Sequence, residues 1–153
     1  MGLIAKRLEE LGIKLPHPVA PIANYVGFVR AGNLLILSGQ LCLAEGAPVA
    51  TGKLGSQVTI EEGQAAARVC AINLLAQVGV ALGDLDKVVR VVRLGGFISA
   101  APDFFGASAV MNGASDLMVE VFGDRGRHAR SAVTVPVLPV DAAIEVEATF
   151  EVA

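Results

Sequence analysis

Residues 144–152 read Ile-Glu-Val-Glu-Ala-Thr-Phe-Glu-Val, and this stretch decides the fold class. Apolar and polar side chains alternate along it with a period of two, which is typical of a β-strand with one buried face. The face predicted to be buried carries only apolar side chains, namely Ile144, Val146, Ala148, Phe150 and Val152. The opposite face carries polar ones, namely Glu145, Glu147, Thr149 and Glu151. We therefore expect a sheet packed against a core on one side only.

Strand and helix patterns alternate upstream of this strand. Two β-like runs at 23–30 and 33–39 are joined through Ala31-Gly32, a connection typical of a hairpin. After a glycine-rich loop near 45–55, Thr59 and Glu62 stand at capping-box spacing and open a long helix. Steps of three and four place its apolar residues on one side, namely Ala67, Ala71, Leu74, Leu75, Val78 and Leu82.

A β-rich run at 87–98, a second helix from near Pro102 to Gly123 and a strand at 130–138 complete the pattern. The resulting order is β-β-α-β-α-β-β, an α+β architecture with two helices on one sheet face. Residues 3–11 add a short amphipathic helix, so we interpret residues 1–153 as one domain in which 1–15 form an N-terminal helical extension.

Composition excludes several classes of protein. Of the 153 residues 54% are hydrophobic, yet no run of about 20 apolar residues suggests a membrane span. So much apolar surface indicates coverage by other copies, hence a homo-oligomer. The charged N-terminus lacks a signal-peptide core, so a cytoplasmic location is expected. A net charge of −3 and scattered basic residues make nucleic-acid binding an unfavoured function.

The two cysteines, Cys42 and Cys70, have no companion Cys or His at ligand spacing, so we expect buried, reduced thiols and no metal site. The two histidines are weak signals. His17 precedes a proline in a loop, and His128 lies among arginines whose charge disfavours its protonation. Neither has a partner for catalysis at recognisable spacing.

Arg130 stands at the head of an otherwise apolar strand, where a guanidinium favours a planar carboxylate partner. That partner is either a carboxylate of the protein itself or one of a ligand. Glu145 and Glu147 share one strand face about 7 Å apart, as a solvated pair or as an acid and a base. Ser38-Gly39-Gln40 ends a strand, where Gly39 is either a simple bend or an opening for a ligand to approach the backbone.

Three spaced motifs resemble a known family. Residues 129–133 (Ala-Arg-Ser-Ala-Val), then Leu138-Pro139, then 144–148 resemble the C-terminal signature of the RidA superfamily, also called YjgF or endoribonuclease L-PSP. Tyr25, then Gly32-Asn33, then residues 37–40 (Leu-Ser-Gly-Gln) resemble its N-terminal hairpin. The resemblance covers about residue 20 to the C-terminus and leaves the first helix outside.

The resemblance implies a chorismate-mutase-like fold in a homotrimer with a central β-barrel, and ligand pockets between subunits. It also implies hydrolysis of 2-imino acids to 2-oxo acids and ammonia, without cofactor or metal. The family's carboxylate-binding arginine corresponds to Arg130 and its water-positioning glutamate to Glu145. Its other pocket positions fall on Tyr25, Ser38, Gly39, Ser131, Ala132 and Asn112.

The chain departs from the family pattern at several positions. Ala132 replaces the usual cysteine, Ala23-Asn24 replaces Gly-Pro before the tyrosine, and the second helix is about one turn longer. These departures and the extra first helix indicate a divergent branch. Two alternatives therefore stay open: a member that binds small carboxylates without turnover, and a different hydrolase such as an endoribonuclease, which the acidic pI near 5.3 disfavours.

Overall fold

A computed structural model describes all 153 residues and shows the predicted α+β fold. A short helix α1 (Leu3–Glu10) precedes the strands β1 (Phe28–Ala31) and β2 (Leu34–Leu41) and a small hairpin of β3 (Leu43–Ala44) and β4 (Ala47–Pro48). Then follow α2 (Ile60–Leu82), β5 (Val88–Ser99), α3 (Ala107–Phe122), β6 (Ala129–Val135) and β7 (Ile144–Val152). The main sheet has the order β1-β2-β7-β5-β6, in which only β5 and β6 run parallel.

The predicted alternation of the last strand is confirmed. The five apolar residues of β7 are buried in the core beneath α2, whereas its glutamates and Thr149 face the other way. We call this second side of the sheet the open face, because no element of the chain covers it. The register places exposed apolar residues on it, namely Val29, Leu34, Ile36 and Val133.

The long helix α2 begins as its sequence predicts. Thr59 Oγ1 accepts from the Glu62 amide at 3.2 Å, and Glu62 Oε2 accepts from the Thr59 amide at 2.8 Å. Gly83 ends the helix in the left-handed region, at φ 70°. By length and composition α2 is apolar enough to span a membrane, but 56% of that window is buried inside the fold. It is thus typical of a core helix, and its predicted apolar stripe is buried throughout.

Three predicted boundaries are wrong. The first strand begins at Phe28 and not at 23, because the Tyr25 amide turns back to the Ala23 carbonyl at 2.8 Å. The sixth strand ends at Val135, since Pro136 has no N–H to continue a ladder.

The second predicted helix also starts later than expected, at Ala107. On the N-terminal side of Ala107, the Phe104 amide donates to the Ala101 carbonyl at 3.1 Å, and this bond closes a turn around Pro102. The β3–β4 hairpin was not predicted at all.

The N-terminal helix α1 is fixed to the body of the domain. Ile4 and Leu8 are buried in the common core. Asp86 accepts from the amides of Leu3 and Ile4, each at 2.8 Å, and so caps the helix. Arg7 Nε donates to the Glu120 carbonyl of α3 at 2.8 Å.

Candidate functional site

Arg130 lies on the edge strand β6, with its side chain against α3. Its Nη1 donates to Asn112 Oδ1 at 2.8 Å and to Ser115 Oγ at 3.1 Å. Its Nη2 donates to Ser108 Oγ at 2.8 Å and to the Ser108 carbonyl at 3.1 Å. All four acceptors are uncharged. The ion pairs of the chain are Arg7–Glu10, Arg68–Glu120 and Arg127–Asp124, so Arg130 has no carboxylate partner within the chain.

The polar seam of α3 that holds Arg130 consists of Ser108, Asn112 and Ser115. Their spacing of i, i+4 and i+7 places them on one side of the helix. Asn112 was identified from the resemblance, but Ser108 and Ser115 were missed. The sequence pattern could have identified both serines, because with Asn112 they form a polar stripe on a mostly apolar helix.

His128 extends this network. Its Nδ1 lies 2.7 Å from the Gly126 carbonyl and its Nε2 lies 2.9 Å from Ser115 Oγ. Burial is the main cause that lowers the pKa of His128; the hydrogen bond to the Gly126 carbonyl opposes it, and the charge of Arg130 adds a smaller lowering effect. A neutral ring therefore donates from Nδ1 and accepts the Ser115 hydroxyl at Nε2. A cavity of about 320 Å³ adjoins this network, with Arg127, His128 and Arg130 in its wall.

Glu145 belongs to a second cluster, on the open face. Gly39 lies so close to it that a Cβ on Gly39 would stand 2.9 Å from the Glu145 carboxyl carbon. Burial, and secondly the charge of Glu147, raise the pKa of Glu145. Ser38 is fixed beside them, because its hydroxyl donates to the Val26 carbonyl at 2.6 Å. The neighbouring Tyr25 has 60% of its surface exposed.

The predicted pocket residues Ser131 and Ala132 lie on different sides of β6. The register pairs Ala132 with Gly96, whose Cα faces Met111 of α3, so Ala132 shares the face of Arg130. Ser131 points to the open face, where its hydroxyl accepts from Arg93 Nη2 at 3.1 Å.

The two clusters do not meet within one chain. Arg130 pairs in register with Leu94, and Glu145 with Phe97, so they are two strands and three residues apart. Their Cα atoms are thus separated by about 14 Å, and their side chains lie on opposite faces. We call the first cluster (Ser108, Asn112, Ser115 and Arg130) the arginine half-site. The second (Ser38, Gly39 and Glu145) is the glutamate half-site.

The two cysteines are buried, as predicted. Cys42 and Cys70 lie in contact behind β7, and the Cys70 thiol donates to the Ile144 carbonyl at 3.6 Å. Burial raises the pKa of the Cys70 thiol. No group of three or more His, Cys, Asp or Glu residues is placed to hold a metal ion.

Comparison with known proteins gives consistent similarities over nearly the whole chain. Residues 5–151 match the family described as "YjgF/chorismate_mutase-like, putative endoribonuclease". The match begins inside α1, although the resemblance of the motifs had left this helix outside. Protein TCP17 of Trypanosoma cruzi is 51% identical over 98% of this chain and 94% of its own.

Two solved structures share the fold closely. The protein Atu1372 of Agrobacterium tumefaciens is 46% identical, with a TM-score of 0.92 over 98% of this chain and 92% of its own. A protein of Shewanella oneidensis MR-1 is 33% identical, with a TM-score of 0.95 over 99% of this chain and 100% of its own.

Proposed function

The chain belongs to the YjgF/chorismate-mutase-like family, the RidA superfamily, and from this premise we propose that it is a deaminase that hydrolyses 2-imino acids to 2-oxo acids and ammonia. The substrate carboxylate binds Arg130, and Glu145 positions the attacking water and transfers the protons. The ligands are small 2-imino and 2-oxo acids.

One observation carries this proposal: the charge of Arg130 is met only by neutral groups of its own chain. A half-buried guanidinium without a counter-ion favours an anionic ligand, and a carboxylate matches its planar geometry best. The Nη hydrogens are engaged with α3, whereas the Nε hydrogen and the Ser108 hydroxyl hydrogen are in no hydrogen bond within the chain. These are two donors for the two oxygens of a carboxylate.

The separation of the half-sites requires a second copy of the chain. The arginine half-site of one copy and the glutamate half-site of its neighbour then act on one ligand. The open face, with its exposed Ile36 and Val133, is the surface that copies cover in a homotrimer with a central β-barrel.

The proposed reaction needs few groups because an iminium carbon is already electrophilic. Glu145 accepts a proton from water as the oxygen adds to that carbon, which gives a carbinolamine. It then returns that proton to the nitrogen. As the C–N bond breaks, the carboxylate of Glu145 accepts the hydroxyl proton of the carbinolamine, so that ammonia leaves and the carbonyl of the 2-oxo acid forms. Burial raises the pKa of the Glu145 carboxyl group, which makes its carboxylate a stronger base and so suits it to both steps.

The test follows 2-oxo acid release from 2-iminobutanoate generated in the assay by an amino-acid dehydratase. We expect faster release with the protein present, and loss of this effect in Arg130→Ala. Arg127→Ala is the matched control, because Arg127 lines the same cavity but is already paired with Asp124. Equal rates with and without the protein would refute the deaminase.

A measurement of 2-oxobutanoate binding beside this rate assay distinguishes the deaminase from a family member that only binds carboxylates. Ala132, which stands where the family has cysteine, favours this second function. Binding of 2-oxobutanoate that depends on Arg130, without any effect on the rate of imine hydrolysis, would establish it.

A further inference from the structure

A cavity of about 420 Å³ lies on the helix side of the sheet, and none of its lining residues belongs to either half-site. It lies beside the C-terminal end of β2, which is not paired with β1. The other walls are α2, the β3–β4 hairpin and the extended segment at 16–19. Val19 and Leu43 contribute to its apolar wall. Its polar lining consists of His17, Gln40, Glu45 and Asn73, and no lysine or arginine lines it.

The orientations of the two amides in this cavity are fixed by their partners. Asn73 Nδ2 donates to the carbonyl oxygens of Leu41 at 3.1 Å and Leu43 at 2.9 Å. Gln40 Nε2 donates to the Ser38 carbonyl at 3.2 Å. A carbonyl oxygen can only accept, so neither amide can be turned around without loss of these bonds. The oxygen atoms Asn73 Oδ1 and Gln40 Oε1 remain as acceptors without a donor in the chain.

Glu45 adds a negative charge to these acceptors. Glu45 is exposed, and its carboxylate takes part in none of the ion pairs of the chain. Its backbone is in the left-handed region at φ 53°, and with Gly46 at φ 81° it forms the two-residue turn of the β3–β4 hairpin. Asn, Asp and Gly are preferred there. A glutamate in this conformation carries a backbone strain that glycine would not.

We propose that this cavity binds a small primary alkylammonium ion. The ammonium group has three donors and no acceptor, which complements Glu45, Gln40 Oε1 and Asn73 Oδ1. The alkyl chain then lies against Val19 and Leu43. This site is independent of the proposed deaminase, because its ligand has the opposite charge and contacts neither Arg130 nor Glu145.

The probe is n-butylamine, titrated at neutral pH and followed by NMR chemical shifts of residues around the cavity, with n-butanol as the uncharged analogue. We expect shifts with the amine and not with the alcohol. Glu45→Gly should weaken amine binding about tenfold or more, because it removes the charged acceptor. The same variant should unfold at an equal or higher temperature, since glycine relieves the backbone strain.

Two controls keep the outcomes distinct. Glu9→Gln removes an exposed carboxylate of α1 and should leave amine binding unchanged. Arg130→Ala should also bind the amine normally, so loss of the deaminase function would not affect this result. Equal binding of butanol, or unchanged amine affinity in Glu45→Gly, would refute the site. An absence of amine binding would also refute it. If Glu45→Gly then also changed the oligomeric state, the cavity would be assigned to a lysine side chain of a neighbouring copy.

Discussion

Arg130 and Glu145 lie on opposite faces of one sheet, separated by two strands, with Arg130 against α3 and Glu145 beside Gly39 on the open face. No rotamer change brings both side chains to one small ligand. If both residues are needed for turnover, each working site must combine two copies of the chain.

This arrangement predicts complementation between inactive variants. Arg130→Ala and Glu145→Gln should each be inactive alone, yet mixed oligomers should recover activity, because one variant supplies the arginine and the other the glutamate. Random assembly of equal amounts should restore about a quarter of the sites. The measurement is imine hydrolysis by co-expressed variants that carry different tags. A mixed oligomer with no activity would show that the active site does not combine Arg130 of one copy with Glu145 of another.

Glu147 should set part of the pH dependence of turnover. The pKa of Glu145 is raised, so its ionised form is lost on the acid side at a higher pH than for an ordinary glutamate. In Glu147→Gln the repulsion disappears, the pKa of Glu145 falls, and the acid limb of the rate profile moves to lower pH. Burial is the larger cause and persists, so the shift should be partial.

Glu151→Gln is the control for this profile. Glu151 lies on the same face of β7 but does not contribute to the pKa shift of Glu145. Its variant should keep the original acid limb. An unchanged limb in Glu147→Gln would contradict the role of Glu145 as the proton-transferring group.

Asn112→Asp should block the arginine half-site. The new carboxylate can accept the same Nη1 hydrogen bond at 2.8 Å, but it also neutralises the guanidinium. Binding of 2-oxobutanoate should weaken about tenfold, as expected for the loss of a charge-assisted contact. Asn112→Ala, which removes the acceptor without adding charge, should bind far better than Asn112→Asp in the same calorimetric titration. Similar affinities in both variants would show that the ligand does not use the charge of Arg130.

The order of elements was predictable because it rests on local patterns. The alternation in 144–152 and the capping box at Thr59 each depend on neighbours within a few residues, and both are present in the structure. The boundaries that failed depend on contacts from elsewhere. The late start of β1, for example, reflects the Tyr25 turn and the bond from the Ser38 hydroxyl to the Val26 carbonyl.

The site was predictable only in its central residues. Arg130 and Glu145 came from the spacing of motifs, whereas their location on opposite faces depends on the strand order β7-β5-β6 and on its register. No local pattern encodes that register. The seam around Ser108 and Ser115 was visible at helical spacing, but it acquires meaning only when β6 places Arg130 against it.

Two helical glycines should respond to alanine in opposite directions. Gly113 of α3 packs against the backbone of α2, and a Cβ there would lie 2.9 Å from the Gln64 Cα. Two backbones must then separate, so Gly113→Ala should lower the free energy of unfolding by about 1–3 kcal/mol. Gly79 of α2 has nothing within 4 Å of its Cβ position. Gly79→Ala should therefore raise the free energy of unfolding by about 0.5–1 kcal/mol through helix propensity alone. Urea denaturation of both variants at one protein concentration measures the difference, and stabilisation by Gly113→Ala would mean that α2 and α3 are less closely packed than this structure shows.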